Sequence, residues 1–260
     1  MSSIMQKTLR TLELLSYNPE GLGPREVADA LDIPASGAHR LLNELVTLGY
    51  VRQEKDRGAY ALTTRLISLG LRFMSESGIV DVAQPALDRL ARESGELVRL
   101  GIIDGKRLTW VAKSQGARNG LIYDPDMGAE AHLASSSSGL AWLMTLSDER
   151  ALEVAAYQGF ASEGAFGPNA PTTVVELLAA LERARHLGFA LTIETYALGM
   201  NGMAAPIRGK GGEAQAVVSV YGPAIRMTEA RMLELGEPLL ATADELADAL
   251  KVSPLLRHRG

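Results

Sequence analysis

The 260-residue chain has no cysteine and only four histidines, His39, His132, His186 and His258, widely separated along it. Without thiols there is no disulfide framework, no thiolate nucleophile and no Cys-ligated zinc or iron–sulfur cluster, and scattered imidazoles do not assemble a metal site. No metal, catalytic residue or cofactor is expected. Aromatic residues are scarce, at 5%. No apolar run approaches the roughly 18 residues needed to cross a bilayer. The first residues, MSSIMQKTLRTLELL, are interrupted by Lys7, Arg10 and Glu13, unlike a secretion signal. A cytoplasmic chain with no membrane partner is the expectation. What is present is ordinary for a globular protein, 47% hydrophobic and 22% charged without low-complexity tracts. At this length two domains are expected rather than one core.

The net charge of -5 is unevenly spread. Residues 1–75 carry nine basic and eight acidic residues, net +1, and the rest carry 17 and 23, net -6. A neutral-to-basic head on an acidic body is compatible with nucleic-acid binding by the head alone.

The head reads as a run of short helices. Leu9, Leu12 and Leu15 recur on one side of a helix from Ile4 to Tyr17, which Asn18-Pro19 ends. Gly21-Leu22-Gly23-Pro24 breaks the chain, a short helix follows from Pro24 to Leu31, and Asp32-Ile33-Pro34 makes a tight connection. Ala38, Leu41, Leu42, Leu45 and Leu48 then mark the buried face of a helix from Ala35 to Leu48. Short helix, turn and longer helix form a helix-turn-helix pattern. Strands at 50–53 and 59–62 around Lys55-Asp56-Arg57-Gly58 add a wing. The start of the second helix is placed to meet DNA, because free N–H groups there attract phosphate and its small residues let the backbone approach. Ser36, Gly37, His39, Arg40 and Asn43 are the candidate contacts, Asn43 being suited to adenine, with Arg52, Lys55 and Arg57 of the wing on phosphate or in the minor groove.

Thr64 to Ser77 reads as a helix with two apolar seams, Leu66, Leu69 and Phe73 on one and Ile67, Leu71 and Met74 on the other. Both need cover, either from a second copy of the chain or from its own two domains, and the second copy is the expectation. From Ile79 onward helices are predicted at 81–94, 148–157, 174–187 and 228–250, and strands at 97–103, 107–114, 189–195, 202–208 and 214–221. The fold class is therefore α+β: a winged helix-turn-helix domain at 1–63, a linker helix at 64–78, and at 79–260 a largely antiparallel sheet with packed helices.

Several motifs in register resemble the IclR family of bacterial transcriptional regulators over essentially the whole chain. In the head these are Ser36-Gly37-Ala38-His39-Arg40-Leu41-Leu42 and Leu48-Gly49-Tyr50-Val51. In the body they are Ser135-Ser136-Ser137-Ser138-Gly139-Leu140-Ala141, Leu187-Gly188-Phe189-Ala190, Glu194 with Leu198-Gly199-Met200, Met203-Ala204-Ala205-Pro206-Ile207 and Val218-Ser219-Val220-Tyr221-Gly222-Pro223. The resemblance implies a GAF-like effector domain and a homodimer or dimer of dimers. It also implies double-stranded promoter DNA with a palindromic operator as partner, and a small organic acid as effector. A ligand-responsive regulator, expected to repress a catabolic operon, follows from it. The implied effector site comprises Ser136, Ser137, Ser138 and Gly139 opening a helix, with Thr192, Gly202, Ser219 and Tyr221 on strands. Four hydroxyls and a glycine at a helix start also make physical sense as a nest for an anion or carbonyl.

Members that sense small oxo-acids usually have Asp at the position of Thr192, Cys at that of Gly202, Ser at that of Tyr221 and a basic residue at that of Leu140. Losing the carboxylate, emptying one wall and adding a phenol predicts a larger pocket that accommodates aromatic groups, for an organic acid bigger than two or three carbons, aromatic acids among them, with Trp110 or Tyr221 against its apolar part. Two other readings use the same residues. A winged domain can bind protein instead of DNA. A serine hydrolase would need the serine run, His132 or His186, and Glu194 as a triad, yet the run lacks the Gly-x-Ser-x-Gly elbow. Gly199-Met200-Asn201-Gly202 and Gly209-Lys210-Gly211-Gly212 read as turns, since neither joins a strand to a helix as a nucleotide loop would.

Overall fold

A computed structural model of the chain describes residues 3–54, 58–123, 128–160, 164–209 and 211–250. They divide into two compact units, Met1–Glu76 and Ser77–Gly260.

The first unit contains α1 (Ile4–Ser16), α2 (Pro24–Leu31), α3 (Ala35–Thr47), β1 (Val51–Gln53), β2 (Tyr60–Leu62) and α4 (Thr64–Ser77). A capping box between Ser3 and Gln6 starts α1, and Pro24 occupies the first turn of α2, where its missing N–H costs nothing. Asp32 ends α2 in the left-handed region at φ 50°, a conformation that a short polar side chain tolerates better than most, and the chain then turns into α3. Leu15, Val27, Ala38, Leu42, Leu45 and Tyr60 form the core. Each buried leucine contributes about 1.5–3 kcal/mol, enough for a few of them to hold so small a unit together. The segment at 21–24, which by sequence is only a breaker, does more. Leu22 exchanges both backbone hydrogen bonds with Tyr60, at 2.8 and 3.0 Å, adding a bridge to the wing. Gly21 at φ +85° permits this, because a Cβ there would lie 2.9 Å from the Tyr60 carbonyl oxygen.

The seams of α4 remain largely uncovered. Ile67, Leu69, Leu71 and Phe73 are exposed, Leu71 to 65% and Phe73 to 58%. Leu66 and Met74 are half-buried.

The second unit contains α5 (Ile79–Ser94), β3 (Leu97–Asp104), β4 (Arg107–Gln115), α6 (Ser137–Leu143), α7 (Asp148–Ala156), α8 (Val174–Leu187), β5 (Ala190–Ile193), β6 (Met200–Arg208), β7 (Ala214–Pro223), α9 (Glu229–Glu234) and α10 (Gly236–Leu250). The sheet order is β4-β3-β7-β6-β5, and every pairing is antiparallel. Strand alternation sends Val98, Leu100, Met203, Ala205, Val218 and Val220 into one core with α5 and α10. The opposite face carries Leu108, Trp110, Ala190, Ala204 and Val217 into a second core with α6, α7 and α8. The fold is thus α+β, a winged helix-turn-helix head and an antiparallel-sheet body.

The single closing helix expected at 228–250 is two helices. Gly236 opens the second against the Phe189 ring, where a Cβ would stand 2.7 Å from the ring edge. β5 is shorter than its apolar pattern suggests because Glu194, at φ 47°, turns the chain out of the sheet.

Candidate functional site

In the head, α3 begins after Pro34, which offers no side-chain acceptor to the first turn; the Pro34 carbonyl accepts from the Gly37 N–H at 2.8 Å, and the N–H groups of Ala35 and Ser36 lead the helix toward a phosphate. Ser36, His39, Arg40 and Asn43 are exposed on this helix, and a Cβ at Gly37 would meet nothing within 4 Å. Arg40 makes no ion pair with any described residue. Asn43 is more committed than its position alone suggests: its amide nitrogen lies 3.1 Å from Nδ1 of His39, and its carbonyl accepts from the Tyr60 hydroxyl at 3.2 Å. The Tyr60 ring also meets His39 edge-on. This chain of contacts ties the recognition face to the wing. Arg52 is engaged within the wing, its Nε on Glu54 at 2.7 Å and an Nη on the Leu62 carbonyl at 2.8 Å. Lys55 and Arg57 lie outside the described residues.

In the body, the face of the sheet that meets α6 carries the expected strand residues in adjacent rows. Thr192, Gly202, Tyr221 and Leu97 are register partners across β5, β6, β7 and β3. One step along, Ser219 pairs with Arg99. Trp110 reaches the same face from β4 beside a bulge at Leu100/Gly101. Ser136 caps α6, accepting from the Gly139 N–H at 3.0 Å, while Gly139 passes so close to Leu133 that a Cβ would sit 2.2 Å from its carbonyl oxygen. Ser138 joins helix to sheet: Trp110 Nε1 donates to its hydroxyl and its N–H donates to the Tyr221 hydroxyl, both at 3.4 Å.

Tyr221 fills the wall that glycine at position 202 leaves empty. A Cβ on Gly202 would fall 2.4 Å from the Tyr221 ring, so the phenol lies flat across a backbone that no side chain obstructs. Thr192 donates its hydroxyl to the Gly202 carbonyl at 3.2 Å. A separate opening of about 450 Å³ lies beside Thr192, among Leu140, Pro171, Glu176, Leu191 and Thr195. Thr192 and Leu140, two of the departures from the oxo-acid pattern, both line it.

At the centre of the assembly is a residue that the sequence reading passed over. Arg99 is 1% exposed, and its Nε and Nη1 have no hydrogen-bond partner among the described residues. Its guanidinium carbon lies 3.6 Å from the centre of the Trp110 ring, 4.9 Å from that of Tyr221 and 5.9 Å from that of Tyr123. Burial lowers its pKa from the ordinary arginine value, while the three tyrosines Tyr221, Tyr123 and Tyr196 act the other way. The Tyr123 phenol is pushed up to about 12 by the same burial. Cation–π contacts return about 0.5–2 kcal/mol each. Several kcal/mol are needed to desolvate a cation, so the rings compensate the charge only in part. Glu96, the buried carboxylate just before β3, is not available: Arg226 holds it at 2.9 Å. The Ser137 hydroxyl is a second buried group without a partner. A signal for Arg99 does stand in the sequence, one charge inside the otherwise apolar run Leu97-Val98-Arg99-Leu100-Gly101-Ile102-Ile103.

His132 donates to or accepts from the Ser135 hydroxyl at 3.0 Å and stacks near Phe166, with ring centres 4.3 Å apart. Burial holds its pKa below the ordinary histidine value. Glu194 accepts from the Gly199 N–H at 2.8 Å and closes its own loop rather than orienting a histidine. Among the described residues, no group of three or more acidic or histidine side chains could hold a metal, and no helix is long and apolar enough to cross a membrane.

Comparison with known proteins covers both units. Residues 71–248 match the model of the bacterial transcriptional regulator IclR C-terminal domain, and residues 5–55 match the IclR helix-turn-helix domain. The HTH-type transcriptional repressor AllR of Salmonella typhi is 29% identical over 251 residues, which is 94% of this chain and 90% of that protein. Among solved structures, Thermotoga maritima IclR superposes with a TM-score of 0.72 at 25% identity, over 95% of this chain and 98% of the other. An IclR homolog from Microbacterium hydrocarbonoxydans, solved in complex with 4-hydroxybenzoate, superposes with a TM-score of 0.76 at 22% identity, over 96% of this chain and all of the other.

Proposed function

The chain belongs to the IclR family of bacterial transcriptional regulators, and from that premise we propose that it is a repressor of a catabolic operon whose hold on DNA is set by an organic acid with an aromatic ring. It is a transcriptional regulator, not an enzyme. The observation that carries the ligand half of the reading is the single sheet face on which Trp110, Thr192, Gly202, Ser219 and Tyr221 meet Ser136, Ser137, Ser138 and Gly139 of α6. That face is polar at the serines and aromatic at Trp110 and Tyr221, all of them buried.

DNA contact is assigned to the open start of α3, with Ser36, Gly37, His39 and Arg40 against bases and backbone and Asn43 fixing His39 in place. The wing adds Arg52, Lys55 and Arg57. Two copies of the chain join through α4, whose exposed Ile67, Leu69, Leu71 and Phe73 need apolar cover. The acid then acts by population shift: it favours one arrangement of the dimer and so changes the separation of two recognition helices that must match half-sites about 34 Å apart. Selection of bound fragments from the source genome tests this. A palindromic site upstream of catabolic genes, released by an aromatic acid, is the expected result; no enriched fragment with or without acid would reject it. A protein-binding winged head is distinguished by salt, since only DNA affinity falls steeply between about 50 and 200 mM.

A further inference from the structure

The cage around Arg99 goes further than the reading above. A buried cation is normally paired, either with a carboxylate of the same chain or with a ligand that brings one. Here the nearby Glu96 is taken by Arg226, and two of the three guanidinium nitrogens are left without an acceptor. Among the described residues the surroundings are rings. Of the chain's thirteen aromatic residues, Trp110, Tyr123 and Tyr221 face the guanidinium, with Tyr196 near them and Phe166 next to Tyr196 at 5.7 Å. So large a share of a scarce residue type at one point fits a flat partner. Tyr123 and Tyr196 are only half-buried, so the cage meets solvent on their side.

We infer that Arg99 is the counter-ion of the effector's carboxylate, and that the effector is an aromatic monocarboxylic acid whose ring lies among Trp110, Tyr123 and Tyr221; this rests on the reading that the body is an effector domain. The carboxylate accepts from the Arg99 guanidinium, whose Nε and Nη1 are left without an acceptor among the described residues. The Ser137 hydroxyl at the start of α6 is likewise without a partner among the described residues. The serine start of α6 then serves as the neutral side of the site, and the charge that binds the acid comes from the sheet. A single cation selects one carboxylate, and a neutral amide of the same shape leaves its charge unanswered.

The test is calorimetry and thermal unfolding of the full chain with benzoate, 4-hydroxybenzoate, benzamide, pyruvate and inorganic phosphate. Benzoate or 4-hydroxybenzoate is expected to bind and raise Tm, with benzamide at least about 30-fold weaker, the loss that goes with a charge-assisted hydrogen bond. Arg99→Met is expected to unfold at a higher temperature than wild type without ligand, because it removes an unpaired buried charge, and to lose about 30-fold or more in benzoate affinity. Arg99→Lys keeps a charge without the planar donors and is expected to fall between the two. A merely structural arginine would give the opposite sign, a lower Tm for Arg99→Met and unchanged acid binding. The inference is overturned by equal binding of benzoate and benzamide, by tighter binding of phosphate or pyruvate, or by no response to either aromatic acid at millimolar concentration. It is overturned equally by an Arg99→Met protein that binds benzoate like wild type, with Arg99→Lys read in its place if the methionine variant does not fold. None of these outcomes touches DNA binding, which is measured separately with a genomic fragment. A chain that bound benzoate through Arg99 and ignored all DNA would refute the regulatory reading alone.

Discussion

Gly202 and Tyr221 are opposite one another on β6 and β7, and the structure makes each a condition of the other. In Gly202→Ala the new methyl would lie 2.4, 2.5 and 3.0 Å from three ring carbons of Tyr221, against ordinary carbon contacts of about 3.5–4.0 Å. The ring must retreat by about 1 Å. It has little room, since it is 2% exposed, its hydroxyl is held at 3.4 Å by the Ser138 N–H, and Arg99 lies over its face. Overpacking of this kind costs about 1–3 kcal/mol. Tyr221→Ser removes the ring and leaves a void, a loss of about 3–5 kcal/mol by comparison with other aromatic truncations. In the double variant the methyl enters the void, so the two losses overlap by about 1–2 kcal/mol. Urea unfolding followed by tryptophan fluorescence measures this cleanly, because the only tryptophans, Trp110 and Trp142, both lie in the body and report that unit. Additivity of the two single losses to within about 0.5 kcal/mol would refute the claim that the ring occupies the space glycine leaves.

Leu71→Glu with Phe73→Glu on α4 is expected to leave the fold intact and convert the dimer to monomer, read by analytical ultracentrifugation; an unchanged sedimentation coefficient contradicts the assignment of α4 to the interface. Arg40→Ala is expected to weaken operator binding and to lower the slope of log affinity against log salt by about 1, as one phosphate contact is lost. Gly139→Ala places a methyl against the Leu133 carbonyl, which is backbone and cannot yield, so a Tm lowered by several degrees is expected and an unchanged Tm would show that α6 can shift. His132 is held below the usual histidine pKa by burial, so in the window under pH 6.5 the unfolded chain takes up a proton that the folded chain refuses. Stability should therefore be full above pH 6.5, fall as pH drops below it, and level off once His132 protonates in the fold; His132→Gln should flatten that part of a Tm-against-pH curve.

The elements that read correctly from sequence were those whose own period reports their burial. The 3.6-residue spacing of Leu41, Leu42 and Leu45 marks α3, and the short, largely apolar runs of β3, β6 and β7 mark strands buried on both faces. The features that did not read depend on distant partners. Leu22 joins the wing because Tyr60 is there to receive it. The closing helix is interrupted before Gly236, which sits against the Phe189 ring, and Glu194 ends β5 through a backbone turn that its side chain does not advertise. Within the site, the strand positions came from the family resemblance, and only the serine start of α6 carried a physical reason of its own in the sequence. That the Tyr221 ring would fill the space over Gly202 was not. Arg99 was in plain view as a charge in an apolar strand, but only the fold shows that two of its guanidinium nitrogens go without an acceptor among the described residues.

The central claim is that this chain grips duplex DNA with α3 and lets go, or holds, according to what sits in its body. Fluorescence anisotropy of a labelled genomic operator fragment, titrated with wild-type and Arg99→Met protein in the presence and absence of benzoate, measures this directly. The account predicts nearly equal DNA affinity for the two proteins without acid and an acid-dependent change in wild type alone. Acid-dependent changes of the same size in both proteins, or no DNA binding by either at low salt, would contradict it.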